Sequence, residues 1–188
     1  YMDFPNGRVV IELAPEFAPN HVANIRKLSR EGFFANGAVT RVQDNFVTQW
    51  ASAQDPERKP KVGVEKLNAE FSLPRNAPIP FDVLPDPDTF ADEVGFSNGF
   101  FVARDKDKVW LAHCYGALGA GRGGPPDSSN GSVLYVVTGQ SPRQPVGTPA
   151  EQVGGQFQAV AAKALGDAHG VSFLQQVGDH VGDIAAAG

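Results

Sequence analysis

Glycine and proline interrupt this chain so often that long helices are disfavoured. The sequence has 21 glycines and 15 prolines in 188 residues, and both residue types destabilise the interior of a helix. The apolar segments between them are short, as in strands joined by loops. We therefore expect mainly β structure, built as a single domain over residues 1–188, because a chain of this length supports one hydrophobic core.

The charge and hydropathy patterns argue against two classes of partner. The chain carries 16 Lys and Arg against 21 Asp and Glu, a net charge of −5 without a basic block, so nothing in it matches a nucleic-acid phosphate backbone. No apolar run approaches the roughly 20 residues that span a bilayer. We expect neither nucleic-acid binding nor a membrane span.

Local patterns predict four elements. Residues 8–13 alternate in hydropathy, which indicates a half-buried strand. Pro19 and the apolar spacing after it predict a helix over residues 19–30 that ends near Gly32. Residues 38–50 predict a hairpin about the Asp44-Asn45 turn, and residues 133–138 predict a further strand.

Other segments have weaker patterns. Residues 52–108 are rich in proline and charge, and we expect a long elaborated loop there that either carries function or forms a small substructure. A buried strand is expected at residues 109–115, followed by a loop over residues 116–132. Residues 145–188 change in character towards Ala, Gln and Gly, with a helical stretch predicted near residues 158–165.

Motifs for cofactors and metals are weak in this sequence. Gly119 to Gly124 matches G-x-G-x-x-G, but Pro125 follows where a phosphate site needs a helix N-terminus. The four histidines and the single Cys114 lack the spacing of a metal site. No serine lies in a G-x-S-x-G turn. We expect no metal and no cofactor.

One constellation in the predicted hairpin combines a cation, an aromatic ring and an amide, namely Arg41, Phe46 and Gln49. Strict strand alternation places Arg41 on the same face as Val39. Taken alone, such an arginine is more often a solvated residue at a sheet rim than a catalytic group.

Longer stretches of the chain resemble a known family. The matching segments are GRVVIELAPEFAPNHVANIRKLSREGFF (7–34), VTRVQDNFVTQW (39–50), LNAEFS (67–72), WLAHCYGALG (110–119) and SSNGSVLYVVTG (128–139). In this order they resemble a bacterial-type cyclophilin, a peptidyl-prolyl cis-trans isomerase. The resemblance implies a closed antiparallel eight-stranded β-barrel with about two capping helices, interrupted here by an insertion region, residues 52–108, and ending in a divergent part, residues 145–188.

The resemblance also implies a function and a set of site residues. It implies isomerisation of X-Pro bonds in proline-containing peptides or unfolded proteins by a monomer, without a covalent intermediate, metal or cofactor. Arg41 would donate to the prolyl nitrogen, Phe46 would hold the proline ring, and Gln49 would orient the substrate carbonyl. The substrate-binding set is completed by Val47, Cys114, Tyr115, Val133 and Tyr135.

Departures from the family pattern leave a second interpretation open. The family's Ala-Asn pair is aligned with Cys114 and Tyr115, its Gln with Val133, and its second pocket Phe with Tyr135. A groove changed in this way could bind proline-containing segments or a protein partner without efficient turnover. Phe46 and Tyr135 could also be core aromatics.

The compartment is predicted only from the start of the chain. The sequence opens at Tyr1 without an initiator Met, which favours a removed leader and the periplasm. The cytoplasm is the alternative, because bacterial cyclophilins occur in both compartments.

Overall fold

A computed structural model describes residues 1–4, 7–52, 58–87, 91–139, 157–159 and 164–165. Within these ranges the chain forms mainly strands. The elements are β1 (Met2–Phe4), β2 (Gly7–Ile11), α1 (Pro19–Arg30), β3 (Ala38–Gln43), β4 (Val47–Ala51), β5 (Leu73–Pro74), β6 (Asp82–Val83), β7 (Glu93–Ser97), β8 (Phe100–Arg104), β9 (Lys108–Leu111), β10 (Leu118–Gly121), β11 (Leu134–Val137), β12 (Phe157–Ala159) and β13 (Ala164–Leu165).

These strands form three antiparallel sheets. The terminal sheet has the order β1-β2-β13, the main sheet β12-β10-β11-β4-β3, and the insert sheet β5-β9-β8-β7-β6. The mainly β fold is therefore confirmed. Among the described residues no sheet closes on itself and one helix is present, so the closed eight-stranded barrel with two helices stays a prediction.

Helix α1 has the bounds that the sequence predicts. Pro at its first position needs no hydrogen-bond partner for its nitrogen, and Gly32, with φ of 71°, ends the helix in the left-handed region. The backbone N–H groups of Asn20 and His21, in its first turn, donate to the carboxylate of Glu70 at 3.0 and 2.9 Å. A residue from the insertion region thus caps the helix.

The largest core cluster lies between α1, the terminal sheet and one face of the main sheet. Its buried members are Ala18, Ile25, Trp50, Leu118, Ala120, Leu134 and Val136. A second cluster joins the insert sheet to the loop before α1, since Ala14 and Phe17 pack against Phe100, Val102 and Leu111. The insert sheet is therefore packed onto the rest of the fold.

The insertion region contains strands, so it forms a small substructure, which was one of the two expected alternatives, and much of residues 73–108 is not loop. The β7–β8 hairpin turns at Asn98-Gly99, whose φ angles of 50° and 82° suit a tight two-residue turn. The strand expected at residues 109–115 is shorter, Lys108–Leu111, and belongs to the insert sheet. That strand pairs with the preceding strand β8 on one side and with β5, more distant in the chain, on the other, and periodicity alone does not reveal these partners.

Two further expectations are corrected. The loop predicted over residues 116–132 contains β10, which pairs with β11 on one side and β12 on the other. The helix predicted near residues 158–165 is wrong where the structure describes that stretch, because β12 and β13 are strands. In both cases sheet pairing outweighs weak local propensity. In the described ranges, no helix is long and apolar enough to cross a membrane.

Candidate active site

A bulge at Thr40 sets the direction in which Arg41 points. Val39 pairs with Trp50 while Arg41 pairs with Gln49, so the register shifts between them. Gln49 and Trp50 are successive residues of β4 and lie on opposite faces of the sheet. The expectation that Arg41 shares a face with Val39 is therefore wrong, because the extra residue in β3 changes the alternation.

Four residues form a row across the main sheet on the face opposite the largest core cluster. Arg41 pairs with Gln49, Gln49 with Tyr135, and Tyr135 with Gly119. Val47 and Val137, each two residues from a member of this row, face the same side. The structure thus brings Arg41, Gln49 and Tyr135, three of the predicted site residues, onto one surface.

The guanidinium group of Arg41 is exposed and lies beside an aromatic ring. Its central carbon is 5.5 Å from the centroid of the Phe46 ring, within the range of a cation–π contact. Its Nη2 donates a hydrogen bond to the side-chain carbonyl of Gln43. In the described part of the chain Arg41 forms no ion pair with a carboxylate, so its charge is not neutralised there.

Phe46 follows the turn of the hairpin and is held against the end of β11. It is 8% exposed and packs with Val47, Tyr135 and Val137. Its carbonyl oxygen accepts a hydrogen bond from the N–H of Thr138 at 2.9 Å. A Cβ atom at Gly139 would lie 2.0 Å from the carbonyl carbon of Asn45, so this close approach of two backbones requires glycine.

Tyr135 is buried completely, with 0% of its surface exposed. A Cβ atom at Gly119 would lie 2.0 Å from its Cζ and hydroxyl oxygen, so the ring lies across the backbone of Gly119. The hydroxyl is 3.0 Å from Nε2 of His113, which is 6% exposed. His113 was not predicted as a site residue, because the four histidines were considered only as metal ligands and lack the spacing of a metal site.

The remaining predicted residues lie at the margins of the row. The N–H of Gly121 donates to the carbonyl of Val133 at 2.8 Å, and Val133 lies directly before β11, on one side of the row. Cys114 is half-buried and Tyr115 is 59% exposed, in a turn beside Val137. The strand adjacent to Tyr135 is β10, so Cys114 and Tyr115 do not join the row.

A cavity of about 670 Å³ lies on the other face of the main sheet, lined by Val39, Trp50, Leu118 and Leu134 among others. It is therefore separated from the row by the sheet itself. Among the residues that the structure describes, no group of three or more His, Cys, Asp or Glu could hold a metal ion.

The row combines three chemical capabilities. The guanidinium of Arg41 offers several hydrogen-bond donors and a permanent charge. Gln49 across from it can both donate and accept a hydrogen bond. Phe46, with the buried Val47 packed behind it, adds an apolar wall next to the cation. This arrangement suits a neutral peptide segment with an apolar ring, because Arg41 and Gln49 can donate to a peptide carbonyl while Phe46 contacts the ring.

Comparisons of the sequence identify bacterial relatives. Over 44 residues the chain is 48% identical to the "Probable peptidyl-prolyl cis-trans isomerase" of Brucella suis biovar 1 (strain 1330). The match to the protein of the same name from Brucella melitensis biotype 1 has the same identity and length. Each match covers 23% of this chain and 22% of the relative, so it spans about a fifth of those proteins.

Comparisons of the structure point to the same fold. Cyclophilin AquaCyp293 from Hirschia baltica superposes with a TM-score of 0.67 at 27% identity, covering 86% of this chain and 61% of that protein. A cyclophilin-type isomerase from Cryptosporidium parvum, crystallised in the presence of the dipeptide Ala-Pro, gives a TM-score of 0.52 at 14% identity, covering 88% of this chain and 77% of that one. The second likeness concerns the fold alone.

The family model for cyclophilin type peptidyl-prolyl cis-trans isomerase/CLD matches residues 1–146, which is most of the chain. This match includes both strands of the hairpin that carries Arg41 and the strand that carries Tyr135. The chain therefore belongs to the cyclophilin-type peptidyl-prolyl cis-trans isomerase family.

Proposed function

We propose that this protein catalyses cis-trans isomerisation of X-Pro bonds in proline-containing peptides and unfolded proteins, with Arg41 as the principal catalytic residue. The observation that carries the proposal is the pairing of Arg41 with Gln49 on the sheet face where Phe46 and Val47 form an apolar wall. Family membership supports the same reaction class.

The reaction needs little covalent chemistry from the protein. Rotation about a peptide bond meets a barrier of about 18–20 kcal/mol, because the nitrogen lone pair is delocalised into the carbonyl. At X-Pro bonds the isomers differ by only about 0.5–1 kcal/mol, and uncatalysed exchange takes tens of seconds or more. A catalyst must therefore bind the twisted bond more tightly than either planar isomer.

Each residue has a distinct role in this proposal. The guanidinium of Arg41 donates a hydrogen bond to the prolyl nitrogen, whose lone pair becomes available only when the bond twists. That interaction is stronger in the transition state and so lowers the barrier. Phe46, which is 8% exposed, contacts the proline ring, and Val47, which is 0% exposed, packs behind Phe46. Gln49 orients the carbonyl of the neighbouring substrate residue.

The other predicted residues contribute at the margins of the groove. Val133 would contact the substrate chain on one side of the row. Cys114 and Tyr115 would line the other side, in the turn beside Val137. Tyr135 would support the proline site from beneath, since its ring is buried against Phe46 and Val47.

The burial of Tyr135 favours a second candidate function. The Tyr135 ring and the side chain of Val47 are both 0% exposed and offer no surface to a ligand, so the apolar part of the groove is smaller than the predicted set of residues implies. A protein with this groove could bind proline-containing segments or a partner protein without speeding their isomerisation.

A single comparison of variants tests the proposal. We expect the protein to accelerate cis-trans exchange of a blocked Ala-Pro peptide in NMR exchange spectra, and Arg41→Ala to lower kcat/KM by about 100-fold. The melting temperature should hardly change, because Arg41 is exposed. Arg26→Ala, which removes an exposed arginine from α1, is the matched control.

The same experiment separates the two functions. Equal kcat/KM in the wild type and Arg41→Ala would exclude Arg41 as the catalytic group. A wild-type protein that binds the peptide, as seen by chemical-shift changes, but leaves its exchange rate unaltered would establish the binding module instead.

We further propose that the terminal and main sheets belong to the closed family barrel. Met2 and Ile11 of the terminal sheet pack against the cluster that contains Trp50 and Leu134 of the main sheet. A crystal structure of the whole chain would test this closure, and two sheets with free edges would contradict it.

A further inference from the structure

We infer that His113 is a positioning residue for the proline site, because it holds the ring of Tyr135 in place over the backbone of Gly119. This inference rests on the proposed function. His113 is neither in the predicted site nor on the strand that flanks Tyr135, and it reaches the site from the segment that links the insert sheet to β10.

The ring of Tyr135 fits over β10 because Gly119 has no side chain. Gly119 lies directly across from Tyr135 in the main sheet, and a Cβ atom there would lie within 2.2 Å of three ring or hydroxyl atoms of Tyr135. The tyrosine ring therefore lies flat over β10, which a larger residue at position 119 would prevent. This arrangement puts the hydroxyl group in a buried environment.

A buried hydroxyl needs a hydrogen-bond partner. Nε2 of His113 lies 3.0 Å from the Tyr135 hydroxyl oxygen, and the two ring centroids are 5.5 Å apart. Both side chains are buried, with 6% and 0% exposure. A hydrogen bond of this kind fixes the far end of the ring, while the Cβ end is fixed by β11.

The backbone on either side of His113 is held as well. The N–H of Ala112 donates to the carbonyl of Phe101 in the insert sheet at 3.0 Å, and the N–H of Gly116 donates to Val137 in the main sheet at 2.9 Å. His113 thus lies on a short segment tied to both sheets. Its imidazole has a defined position from which to orient Tyr135.

The position of the Tyr135 ring determines the apolar wall of the site. The Tyr135 ring packs with Phe46 and Val47 in one buried cluster, in which Phe46 is the residue proposed to contact the proline ring and Val47 packs behind it. An apolar wall of this kind contacts the substrate's proline ring whether the X-Pro bond is planar or twisted. Displacing the wall therefore weakens the binding of both states. Loss of the His113 contact should therefore raise KM and leave kcat nearly unchanged.

The test is a set of variants measured with the blocked Ala-Pro peptide. We expect His113→Leu to raise KM about three- to tenfold, the effect of one buried hydrogen bond, with kcat within about twofold of the wild type. His113→Gln, which keeps an amide able to bond the hydroxyl, should restore most of the wild-type KM. Tyr135→Phe should behave as His113→Leu does.

The double variant distinguishes positioning from a general loss of stability. If His113 acts through Tyr135, His113→Leu combined with Tyr135→Phe raises KM no further than the worse single change. Additive effects, or an unchanged KM in either single variant of an active protein, would overturn the inference. Should His113→Leu fail to fold, Tyr135→Phe alone decides, because it deletes only one oxygen.

The wild-type measurement keeps this result separate from the proposed function. A wild-type protein that neither binds nor isomerises the peptide refutes the proposed function, and the inference fails with it. An active wild type whose KM does not respond to these variants refutes the inference alone.

Discussion

Arg41 lies directly across the β3–β4 hairpin from Gln49, and a single extra residue, Thr40, makes this pairing compatible with the opposite orientation of Val39. Without the bulge, alternation would place Val39 and Arg41 on one face. The bulge allows Val39 to line the interior with Trp50 while Arg41 stays on the face of the candidate site. Arg41 therefore lies next to Gln49 on the face of the candidate site.

This pairing predicts the effect of a charge at position 49. Gln49→Glu places a carboxylate opposite Arg41, and such a cross-strand ion pair contributes up to about 1 kcal/mol, which corresponds to about a fivefold loss of kcat/KM at pH 7. Gln49→Leu removes the amide without adding charge and is the matched control. The added loss in Gln49→Glu should fade as the pH falls below about 4, where the new carboxyl is protonated. Equal kcat/KM in the two variants at pH 7 would contradict a role for the free charge of Arg41.

Glu70 gives α1 a pH-dependent cap. Burial raises the pKa of Glu70. Hydrogen bonds from the N–H groups of Asn20 and His21 and from the His21 ring lower this pKa, and together they outweigh burial, so the folded-state pKa lies below its ordinary value. The stability that ionised Glu70 provides is therefore present above the unfolded pKa of about 4.3 and is lost as the pH falls through the folded pKa.

We expect Glu70→Gln to lower the free energy of unfolding by about 1.5–3 kcal/mol at pH 7, as measured by urea denaturation. The difference from the wild type should shrink as the pH falls below about 4. Glu65→Gln, which changes an exposed carboxylate nearby, should alter stability by less than about 0.5 kcal/mol. A pH-independent difference for Glu70→Gln would show that the charge is unimportant.

Glu93 is the centre of an ionic cluster on the insert sheet. Hydrogen bonds from Arg104 and Arg75 lower its pKa to about 2, at N···O distances of 2.6 Å to each arginine. Its ionised form stabilises the fold above the unfolded pKa of about 4.3, and this contribution disappears as the pH falls towards 2.

An NMR titration of the Glu93 side-chain carboxyl should give a midpoint near pH 2. Arg104→Gln removes the donor with the largest effect and should move the midpoint upwards towards about 4.3. Arg58→Gln, which changes an arginine that lies over Phe33 instead, should leave it unchanged. A wild-type midpoint near 4.3 would disprove the cluster.

Gly139 should tolerate no side chain. A methyl group there would lie between 2.0 and 2.4 Å from three backbone atoms of Asn45, so the hairpin turn must move. We expect Gly139→Ala to cost about 1–3 kcal/mol in the free energy of unfolding and to weaken peptide binding, because Phe46 follows the same turn. Gly123→Ala is the control, since a Cβ there meets only the side chain of Ser128, at 3.4 Å from its hydroxyl oxygen and 3.7 Å from its Cβ. Similar stability of the two variants would contradict this close approach.

Elements with several consistent local signals could be predicted from the sequence, whereas elements with one isolated turn signal or with low strand propensity were missed. Helix α1 was expected at its observed bounds because Pro19, the apolar spacing and Gly32 all lie within one segment. The hairpin about Asp44-Asn45 was likewise confirmed. The insert sheet was missed, although Asn98-Gly99 is a strong turn signal between two apolar runs. Strand β10 was missed because Gly and Ala have low strand propensity.

In the candidate site, residues of one hairpin could be predicted from the sequence, whereas residues that meet only in the folded structure could not. The sequence pattern identifies Arg41, Phe46 and Gln49 because they lie on one hairpin, but it gives the wrong face for Arg41, since a bulge leaves no simple mark in the sequence. His113 and Tyr135 are 22 residues apart in the chain. The available signal was the glycine at position 119 opposite a large aromatic residue, and it became informative only once the strand pairing was known.

The hydrogen bonds that hold α1 also determine which part of this protein could be removed in a shortened variant. Glu70 binds the first turn, Glu31 accepts from the N–H groups of Lys61 and Val62, and Asn24 holds Val64 through both its amide groups. Deleting all of residues 52–108 would therefore release the helix at three points. A deletion confined to residues after Glu70 would keep these supports, but it would expose Phe17, which packs on the insert sheet. A minimal design accordingly retains residues 61–70 and replaces Phe17 with a polar side chain.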